Sequence, residues 1–593
     1  MARRRRTKFK NKGLMFLFFI GAVVGWLLMA RRRRTKFKNK GLMFLFFIGA
    51  VVVGYIAFNL LSGIFNIVVN NKSEMYLASS THSVDLYDAE FKQSISVPRG
   101  GKVLIDKANI TIGENNNKYY EVIINGENYY IKVDSLANDE KGVVMEKYVY
   151  VRTPVNLMDP NQEGKLLILV NKGDQLEVIG FNKVDASGKV DVYRVRVNNI
   201  EGLINANYVV LDKESALAHY EPDKYYNVHY QRGNRYGGGH AGNLDYYPVE
   251  KPTFEENKMP DPVYALYLNN GTNVIPYIDK YIDLVKDTKI NAFVVDIKEN
   301  EAPGYKSEVM KKYSPTNYKY ANNSYETYKE AIKKLKDAGF YVIGRITTFQ
   351  DKYYALDHPE HSITYESTGE LYPPGWPSPY QRAVWEFNVE LAKEAVKEFG
   401  FNEIQFDYVR FPDKVSNKGL DFKNIYNEEK AQAIQRFTRY ATDELHKLGV
   451  YVSIDVFGES AHNYVTAYGQ YWAAISNIVD VISGMPYPDH FNAHEYGFEE
   501  IVWTVPYDLL KYWGSTYVMK RQSEIPTPAK LRTWVQGYNT IRAPYISYDA
   551  PEVEAQIRGL FDAGLTDGYM VWNAGSSINK YRSQLNAYKK DYK

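Results

Sequence analysis

The chain has 593 residues, too many for one hydrophobic core, so three or more domains are expected. It contains no cysteine, which excludes disulfides and thiolate metal sites. The net charge of +3 is misleading. Residues 1–40 carry fourteen Lys and Arg and no acid, and the rest of the chain has 59 basic and 70 acidic residues. An acidic body with its positive charge at one end argues against a nucleic-acid partner and for a membrane.

The N-terminal segment is duplicated. Met1–Val24 recurs unchanged as Met29–Val52, and each copy places a basic run before an apolar stretch. The second stretch, Gly41–Leu61, has 21 residues without charge, enough to cross a hydrocarbon core of about 30 Å. Because positive flanks stay cytoplasmic, one span with both basic runs inside satisfies the charge rule. We therefore predict a duplicated basic segment at 1–41 and an uncleaved signal anchor at 42–61, with a cleaved signal as the alternative.

This anchor predicts a single-pass protein of the cell membrane. The lipid bilayer is its partner through the N-terminal helix, and the C-terminal domains lie outside the cytoplasm. The first copy of the repeat needs no function of its own.

Two β-rich segments follow, at 75–140 and 145–212. Val84–Asp88 is similar to Val155–Asp159, and each is followed by alternating strands that form a hairpin. This order resembles tandem bacterial SH3-like domains, which are small β-barrels often found on cell-wall enzymes. The resemblance implies binding to the cell wall, and a rigid spacer between membrane and enzyme is the equal alternative. Residues 213–262 are expected to be a linker.

From residue 263 the pattern changes to apolar strands that alternate with amphipathic helices. The strands read from the sequence are 263–268, 292–297, 341–346, 403–409, 451–456, 479–483, 533–537 and 568–572. The helices include 325–338, 384–399, 427–448 and 553–563. Eight strands over residues 263–590 predict an α/β fold, a (β/α)8 TIM barrel. A doubly wound open sheet is the alternative, but it would normally carry fewer strands and a nucleotide loop.

Barrel enzymes place their chemistry where the strands end, which turns the sequence into a short list of candidates. The segment Ile404–Pro412, with Asp455–Gly458, Tyr487-Pro488-x-His490, Trp534-x-Gln536 and Trp572-Asn573, resembles the "putative glycosyl hydrolase" family of prokaryotic proteins. That family is distantly similar to α-amylase-type barrels, and the resemblance spans about residues 260–590.

The resemblance implies glycoside hydrolysis with paired carboxylates. Asp407 takes the place of the nucleophile that follows strand 4. Strand 5 departs from the amylase pattern, because it offers Asp455 with Glu459 four residues later as the acid/base. Strand 7 has Gln536 where an amylase has a third acid, so activity on α-glucans is not implied.

The residue chemistry agrees with that assignment. Cleavage of a glycoside needs one carboxylate at the anomeric carbon and one carboxylic acid that protonates the leaving oxygen. Arg345 or Arg410 could hold Asp407 ionised, while repulsion and burial would keep the second acid protonated. The expected substrate-binding residues are Asp296, Glu299, Arg345, Tyr408, Arg410, Tyr487, His490, Trp534, Gln536, Trp572 and Asn573.

No metal and no cofactor are expected. His358-x-x-His361 has metal-like spacing, but Pro359 lies within it and we identify no nearby carboxylate that completes a site.

Three functions remain open. The first is a surface glycoside hydrolase acting on a wall or matrix polysaccharide. The second is a non-catalytic wall-binding protein on a barrel scaffold. The third is a polysaccharide-modifying enzyme such as a transglycosylase or deacetylase. The pair of Asp407 and Asp455 favours the first.

Overall fold

The structure is a computed structural model, and it describes residues 72–234, 236–413 and 418–592. The predicted signal anchor at 42–61 and the duplicated basic segment lie outside these residues. Within the described residues, none of the helices combines the length and the apolar character that a membrane crossing requires.

The first compact unit ends at Val143 and contains two small antiparallel sheets. Its strands are β1 (Lys72–Leu77), β2 (Ser83–Tyr87), β3 (Gln93–Pro98), β4 (Lys102–Asp106), β5 (Ile110–Ile112), β6 (Lys118–Ile124), β7 (Glu127–Lys132) and β8 (Leu136–Ala137). The sheets have the orders β4-β1-β8 and β3-β2-β7-β6-β5. The predicted hairpin joins β6 to β7, and Asn125 and Gly126 both have positive φ there, which the left-handed turn requires. A β-rich first segment is therefore correct, and its SH3-like character stays a prediction.

The second β module belongs to the same compact unit as the barrel. Its strands are β9 (Tyr148–Val151), β10 (Val155–Met158), β11 (Leu166–Val170), β12 (Gln175–Phe181), β13 (Val192–Val197), β14 (Ile200–Asn205) and β15 (Val209–Val210), in the order β11-β10-β14-β13-β12-β9-β15.

This module contacts the barrel through buried polar groups. The Leu166 amide donates to Glu386 at 2.9 Å, and Tyr440 donates to the Gly164 carbonyl at 2.6 Å. The Leu166 side chain packs into the main barrel core. The module thus packs directly against the barrel domain.

Residues 213–262, the expected linker, contain α1 (Lys213–Leu217) and α2 (Asn227–Tyr230). Part of this segment packs on the barrel. Leu244 and Tyr246 are buried beside Tyr471 and Ala474, so the segment covers part of the barrel surface.

The C-terminal domain is the predicted (β/α)8 barrel. Its strands are β16 (Val263–Leu268), β17 (Ala292–Glu299), β19 (Tyr341–Thr347), β21 (Glu403–Asp407), β23 (Tyr451–Phe457), β24 (Val481–Met485), β25 with β26 (Lys530–Leu531 and Thr533–Gln536) and β27 (Gly568–Trp572). The short strands β18 (Ala302–Pro303), β20 (Thr364–Tyr365) and β22 (Leu420–Asp421) lie in connections. All neighbours in the barrel pair in parallel. Strand β25 pairs with β24, and β26 pairs with β27, so the seventh strand, interrupted at Arg532, closes the barrel.

The described helices of this domain are α3 (Asp279–Val285), α4 (Glu308–Tyr313), α5 (Pro315–Lys319), α6 (Tyr325–Asp337), α7 (Lys352–Asp357), α8 (Arg382–Phe399), α9 (Lys430–His446), α10 (Trp472–Ser476), α11 (Pro506–Trp513), α12 (Met519–Gln522), α13 (Ala550–Asp562) and α14 (Ile578–Tyr588). Gly400 ends α8 in a left-handed conformation (φ 71°), as its place before β21 predicts.

Two cores hold the barrel together. One lies between the strands and the helices, and the other lies inside the barrel, where Tyr267, Val294, Ile343, Trp534 and Met570 meet. The strands are buried on both faces, which explains why they are almost continuously apolar in the sequence.

Candidate active site

A cavity of about 580 Å³ opens at the carboxyl ends of the barrel strands. The residues around it are Tyr267, Asn269, Asn270, Gly271, Asn273, Asp296, Glu299, Ala302, Asn322, Arg345, Asp407, Tyr408, Arg410, Phe457, Met485, Tyr487, His490, Trp534, Trp572 and Ala574. The location follows from the fold, because all parallel strands end at the same rim.

Arg345 is the centre of the polar floor. Its side chain is 1% exposed, and it lies on β19 between β17, which supplies two carboxylates, and β21, which supplies a third. Nη1 donates to Asp296 Oδ1 at 2.7 Å and to Glu299 Oε2 at 2.6 Å, and Nη2 donates to Asp407 Oδ2 at 2.6 Å. One guanidinium thus binds three acids. Its single positive charge can balance their total charge only if some of the carboxyls are protonated.

Asp407 is the predicted nucleophile and lines the cavity. Its Oδ2 accepts from both Nε (3.2 Å) and Nη2 of Arg345, and its Oδ1 accepts from the Tyr408 amide at 2.6 Å. All of these donors stabilise a negative carboxylate. Arg410, the other predicted partner of Asp407, instead binds Asp413 at 3.2 Å and lies over Phe457.

Tyr408 has a left-handed backbone conformation (φ 53°), which is rare for a residue with a bulky side chain. This conformation lets its amide turn back onto the Asp407 carboxylate, where strand β21 ends. Burial and the Asp407 charge raise the pKa of the Tyr408 hydroxyl to about 12, so it stays a hydrogen-bond donor. Local backbone strain of this kind is typical of functional sites.

Asp455 lies beside Asp407 but is fully buried and does not line the cavity. Its Oδ2 is 3.9 Å from the Arg345 Nε. Burial, and then the charge of Asp407, raise the pKa of Asp455 well above its usual range, so this carboxyl is protonated. Asp407 and Asp455 are therefore a charged and a neutral carboxyl around one guanidinium.

Asp296 is a second protonatable acid, and it does line the cavity. Burial raises its pKa to about 7, despite the opposing effect of Arg345. Its Oδ2 accepts a short hydrogen bond from the Tyr267 hydroxyl. The sequence indicated Asp296 only as a binding residue, because a carboxylate inside a strand gives no sign of its protonation.

Glu459, the competing acid/base candidate, lies outside the cavity. It is exposed, and its carboxylate accepts hydrogen bonds from Tyr464 (3.0 Å) and Tyr468 (2.9 Å). The short 3-10 helix Gly458–Ala461 carries it away from the strand axis. The structure therefore does not bring Glu459 together with Asp407.

Two predicted substrate-binding amides also lie away from the cavity. The Gln536 amide bonds the Asp489 and Tyr538 backbones, and the Asn573 amide bonds the Gly537 carbonyl at 3.0 Å. Both side chains are buried and fix the loops that follow their strands. The other predicted substrate-binding residues line the cavity.

Aromatic rings form one wall of the cavity. Trp572 lies edge-on to Trp534 at 5.6 Å and 4.2 Å from Tyr267, and Arg345 lies over its face at 5.1 Å. Tyr487 contacts His490, whose ring is about half exposed and whose pKa is lowered by burial. Trp572 is partly exposed, and an aromatic ring next to hydrogen-bonding groups suits a sugar ring.

Another part of the rim is rich in side-chain amides that the sequence analysis missed. Asn269, Asn270, Asn273 and Asn322 all line the cavity, and Asn322 donates to Asn270 at 2.8 Å. The signal was the run Asn269-Asn270-Gly271-x-Asn273 directly after β16. This run is typical of an ordinary turn. Its position beside the cavity becomes clear only when the strands are arranged in the closed barrel.

Comparison with known proteins agrees with this architecture. Residues 265–580 match the family model described as "Putative glycosyl hydrolase domain". The chain belongs to this family. The match covers more than half of the chain and includes the strands that carry Asp296, Arg345, Asp407 and Asp455, and the resemblance inferred from those motifs is confirmed. No curated protein matches the chain in sequence.

Three solved structures illustrate its likeness to other proteins. A hypothetical protein from Ruminiclostridium thermocellum is 32% identical over 32% of this chain and 97% of its own, with a TM-score of 0.28. The PgaB (BpsB) glycoside hydrolase domain from Bordetella bronchiseptica is 12% identical over 55% of this chain and 99% of its own, with a TM-score of 0.40. A class V chitinase from Pseudomonas fluorescens is 14% identical over 56% of this chain and all of its own, with a TM-score of 0.36.

Proposed function

We propose that this protein is a membrane-anchored, extracytoplasmic glycoside hydrolase that cleaves a cell-wall or matrix polysaccharide with paired carboxylates. The observation that carries the proposal is the Asp407 carboxylate, which lines the cavity between Arg345 on one neighbouring strand and Asp455, whose pKa is raised well above its usual range, on the other. Membership of a glycosyl hydrolase family supports the reaction class.

The chemistry needs one negative and one protonated carboxyl. Asp407 supplies the negative charge that stabilises or attacks the anomeric carbon as the bond to the leaving oxygen breaks. A neighbouring carboxylic acid gives its proton to that oxygen, and water then supplies the hydroxyl of the new reducing end and returns a proton to the acid. Arg345 keeps Asp407 in position and offsets the negative charge of the cluster.

Asp455 is the first candidate for the acid. Its Oδ1 accepts from Trp534, which leaves Oδ2 to carry the proton beside Asp407. For direct transfer, a bound substrate would have to expose Oδ2, which is buried in the structure.

Asp296 is the second candidate, because it reaches the cavity and its pKa of about 7 suits a general acid near neutral pH. Both of its oxygens accept hydrogen bonds, from Arg345 and Tyr267. To act as the acid, Asp296 must carry a proton on one of these oxygens. The hydrogen bond that this oxygen accepts, from Arg345 or from Tyr267, must then be released.

The polysaccharide substrate is proposed from the cavity walls. Trp572 and Tyr487 can stack on sugar rings, while Asn269, Asn273 and His490 can bind hydroxyl groups. The anchor and the two β modules would place the cavity near the cell wall, and binding of wall polymers by the modules is part of this proposal.

The test is a screen of purified protein against wall and matrix polysaccharides, with detection of new reducing ends. Asp407→Asn serves as the matched inactive variant, because it keeps the shape of the side chain and removes its charge. Release of sugar by the wild type alone supports the proposal. Binding of a glycan without release by either protein would favour a non-catalytic binding protein.

A further inference from the structure

A cluster of metal-ligand side chains lies in the long connection between β19 and α8, outside the cavity. His358, Glu360 and His361 each offer one ligand atom, and the three atoms lie within 4.8 Å of one another. Helix α7 ends at Asp357, and the 3-10 helix Pro359–His361 then turns the chain tightly. The sequence analysis missed Glu360 as the completing carboxylate, because adjacent positions on a chain usually point apart.

The distances suit a small divalent ion. Glu360 Oε1 is 3.0 Å from His358 Nδ1 and 3.8 Å from His361 Nδ1. Tetrahedral zinc with bonds near 2.0–2.1 Å separates its ligands by roughly 3.4 Å, which lies between these two values. Small side-chain rotations would therefore complete the coordination.

The tautomer of His358 is set by a backbone contact. Its Nε2 is 2.7 Å from the Tyr313 carbonyl oxygen, and because a carbonyl can only accept, the hydrogen is on Nε2. In the neutral ring, Nδ1 then presents a lone pair to the Glu360 carboxylate, which is also an acceptor. Two acceptors 3.0 Å apart require a cation or a proton between them. A histidine that donates its far N–H to a backbone carbonyl is the usual arrangement at metal sites.

An ion bound by these three side chains would be accessible to water. The side chains of His358, Glu360 and His361 are 29%, 60% and 27% exposed, so water can supply a fourth ligand. His361 Nδ1 is also 3.2 Å from the Tyr354 hydroxyl, which can rotate its hydrogen away. The His361 carbonyl accepts from Ser378 at 2.8 Å, which fixes the backbone on the far side.

We propose that His358, Glu360 and His361 bind one Zn²⁺, with water as the fourth ligand. Nitrogen and carboxylate ligands in a tetrahedral arrangement with one open position favour zinc over magnesium or calcium. The ion would join the connection after β19 to the end of α4, since the Tyr313 carbonyl holds the first ligand. Its role is to stabilise that connection, because none of the three residues lines the cavity.

The test uses full-length protein stripped of metal by a chelator and titrated with Zn²⁺ in a calorimeter. We expect one equivalent to bind and the unfolding temperature to rise with zinc concentration, since a ligand of the native state stabilises it. His358→Ala and Glu360→Gln should each weaken zinc binding by more than about tenfold. Even the loss of a residue that only hydrogen-bonds to a metal ligand typically lowers metal affinity by about that factor. Cobalt(II) should give the visible bands of a tetrahedral site in the wild type and not in His358→Ala or Glu360→Gln.

His494→Ala is the matched control, because His494 is an exposed histidine that contacts only the Phe498 carbonyl among the contacts described for its side chain. This variant should bind zinc as the wild type does. Glu360→Gln keeps the size of an exposed side chain, so it tests the site without loss of fold. The proposal fails if the wild type takes up no zinc, or if His358→Ala and Glu360→Gln bind it as well as His494→Ala does. In that case the contact is a protonated His358 paired with Glu360.

Discussion

The indole Nε1 of Trp534 donates to Oδ1 of Asp455 at 2.8 Å, and this leaves Oδ2 of Asp455 buried without a hydrogen-bond partner among the described residues. A charged carboxylate in that position would be costly, because burial without partners destabilises the charge. Asp455 is therefore held neutral next to Asp407, whose Oδ2 accepts two hydrogen bonds from Arg345. The asymmetry between two neighbouring carboxyls underlies the proposed chemistry and its tests.

Loss of the Asp407 charge should abolish turnover. In Asp407→Asn we expect kcat to fall on the order of 10⁴-fold, as for other single catalytic groups, while the far-UV circular dichroism stays unchanged. Asp337→Asn, an exposed change on α6, is the control and should keep wild-type kcat. Wild-type turnover in Asp407→Asn would refute the mechanism.

The identity of the acid can be read from substrates with good leaving groups. A variant without the acid should be partly spared on activated aryl glycosides, because their leaving oxygens need little protonation. We expect this pattern in Asp455→Asn. If Asp296→Asn shows it instead, Asp296 is the acid. If Glu459→Gln shows it, Glu459 is the acid and the choice of Asp455 from the strand-5 segment is wrong.

The pH profile gives an independent test of the acid. If Asp296 donates the proton, kcat should decline as the pH rises through about 7, its raised pKa. If Asp455 donates, replacement of Asp296 should leave the decline where it is in the wild type. Binding of substrate shifts such values, so the comparison is between wild type and Asp296→Asn on one substrate. A decline near pH 7 that survives in Asp296→Asn excludes Asp296.

Stability should also depend on the Asp296 proton. Its pKa is about 7 in the folded state and 3.8 ordinarily, so between these values the folded state holds a proton that the unfolded state has lost. The stabilisation is complete below about pH 4 and is lost as the pH rises through about 7. The urea midpoint of the wild type should fall over this window more than that of Asp296→Asn. Equal slopes would contradict the raised pKa.

Removal of Arg345 should destabilise the fold as well as the site. Arg345→Gln leaves Asp296, Asp407 and Glu299 without their shared cation, and loss of one partner of a buried ion pair typically costs about 3–5 kcal/mol. We expect a lower urea midpoint, with partial recovery at acidic pH as the carboxylates protonate. Arg558→Gln, an exposed change on α13, should leave the midpoint unchanged. An unaltered midpoint in Arg345→Gln would show that the cluster is not coupled to folding.

The amino-acid sequence determined the barrel and most of its rim. All eight predicted strands occur, because apolar runs buried on both faces and glycines that end helices are local signals. The strand-end rule then brought Asp296, Arg345 and Asp407 to one cavity, because parallel strands carry their ends to the same edge. The basic N-terminal repeat predicts the membrane anchor by composition alone, and that prediction still awaits a test of topology.

Only the tertiary structure decided how these residues interact. Protonation depends on burial and on neighbours from other strands, so the sequence could not show that the pKa values of Asp296 and Asp455 are raised. Side-chain direction also lies beyond a linear pattern. Glu459 turns outward on a 3-10 helix, while Asn269 and Asn322, far apart in the chain, come to line one cavity. The same holds for Glu360, which reaches both histidines because Pro359 and the 3-10 turn fold the backbone back on itself.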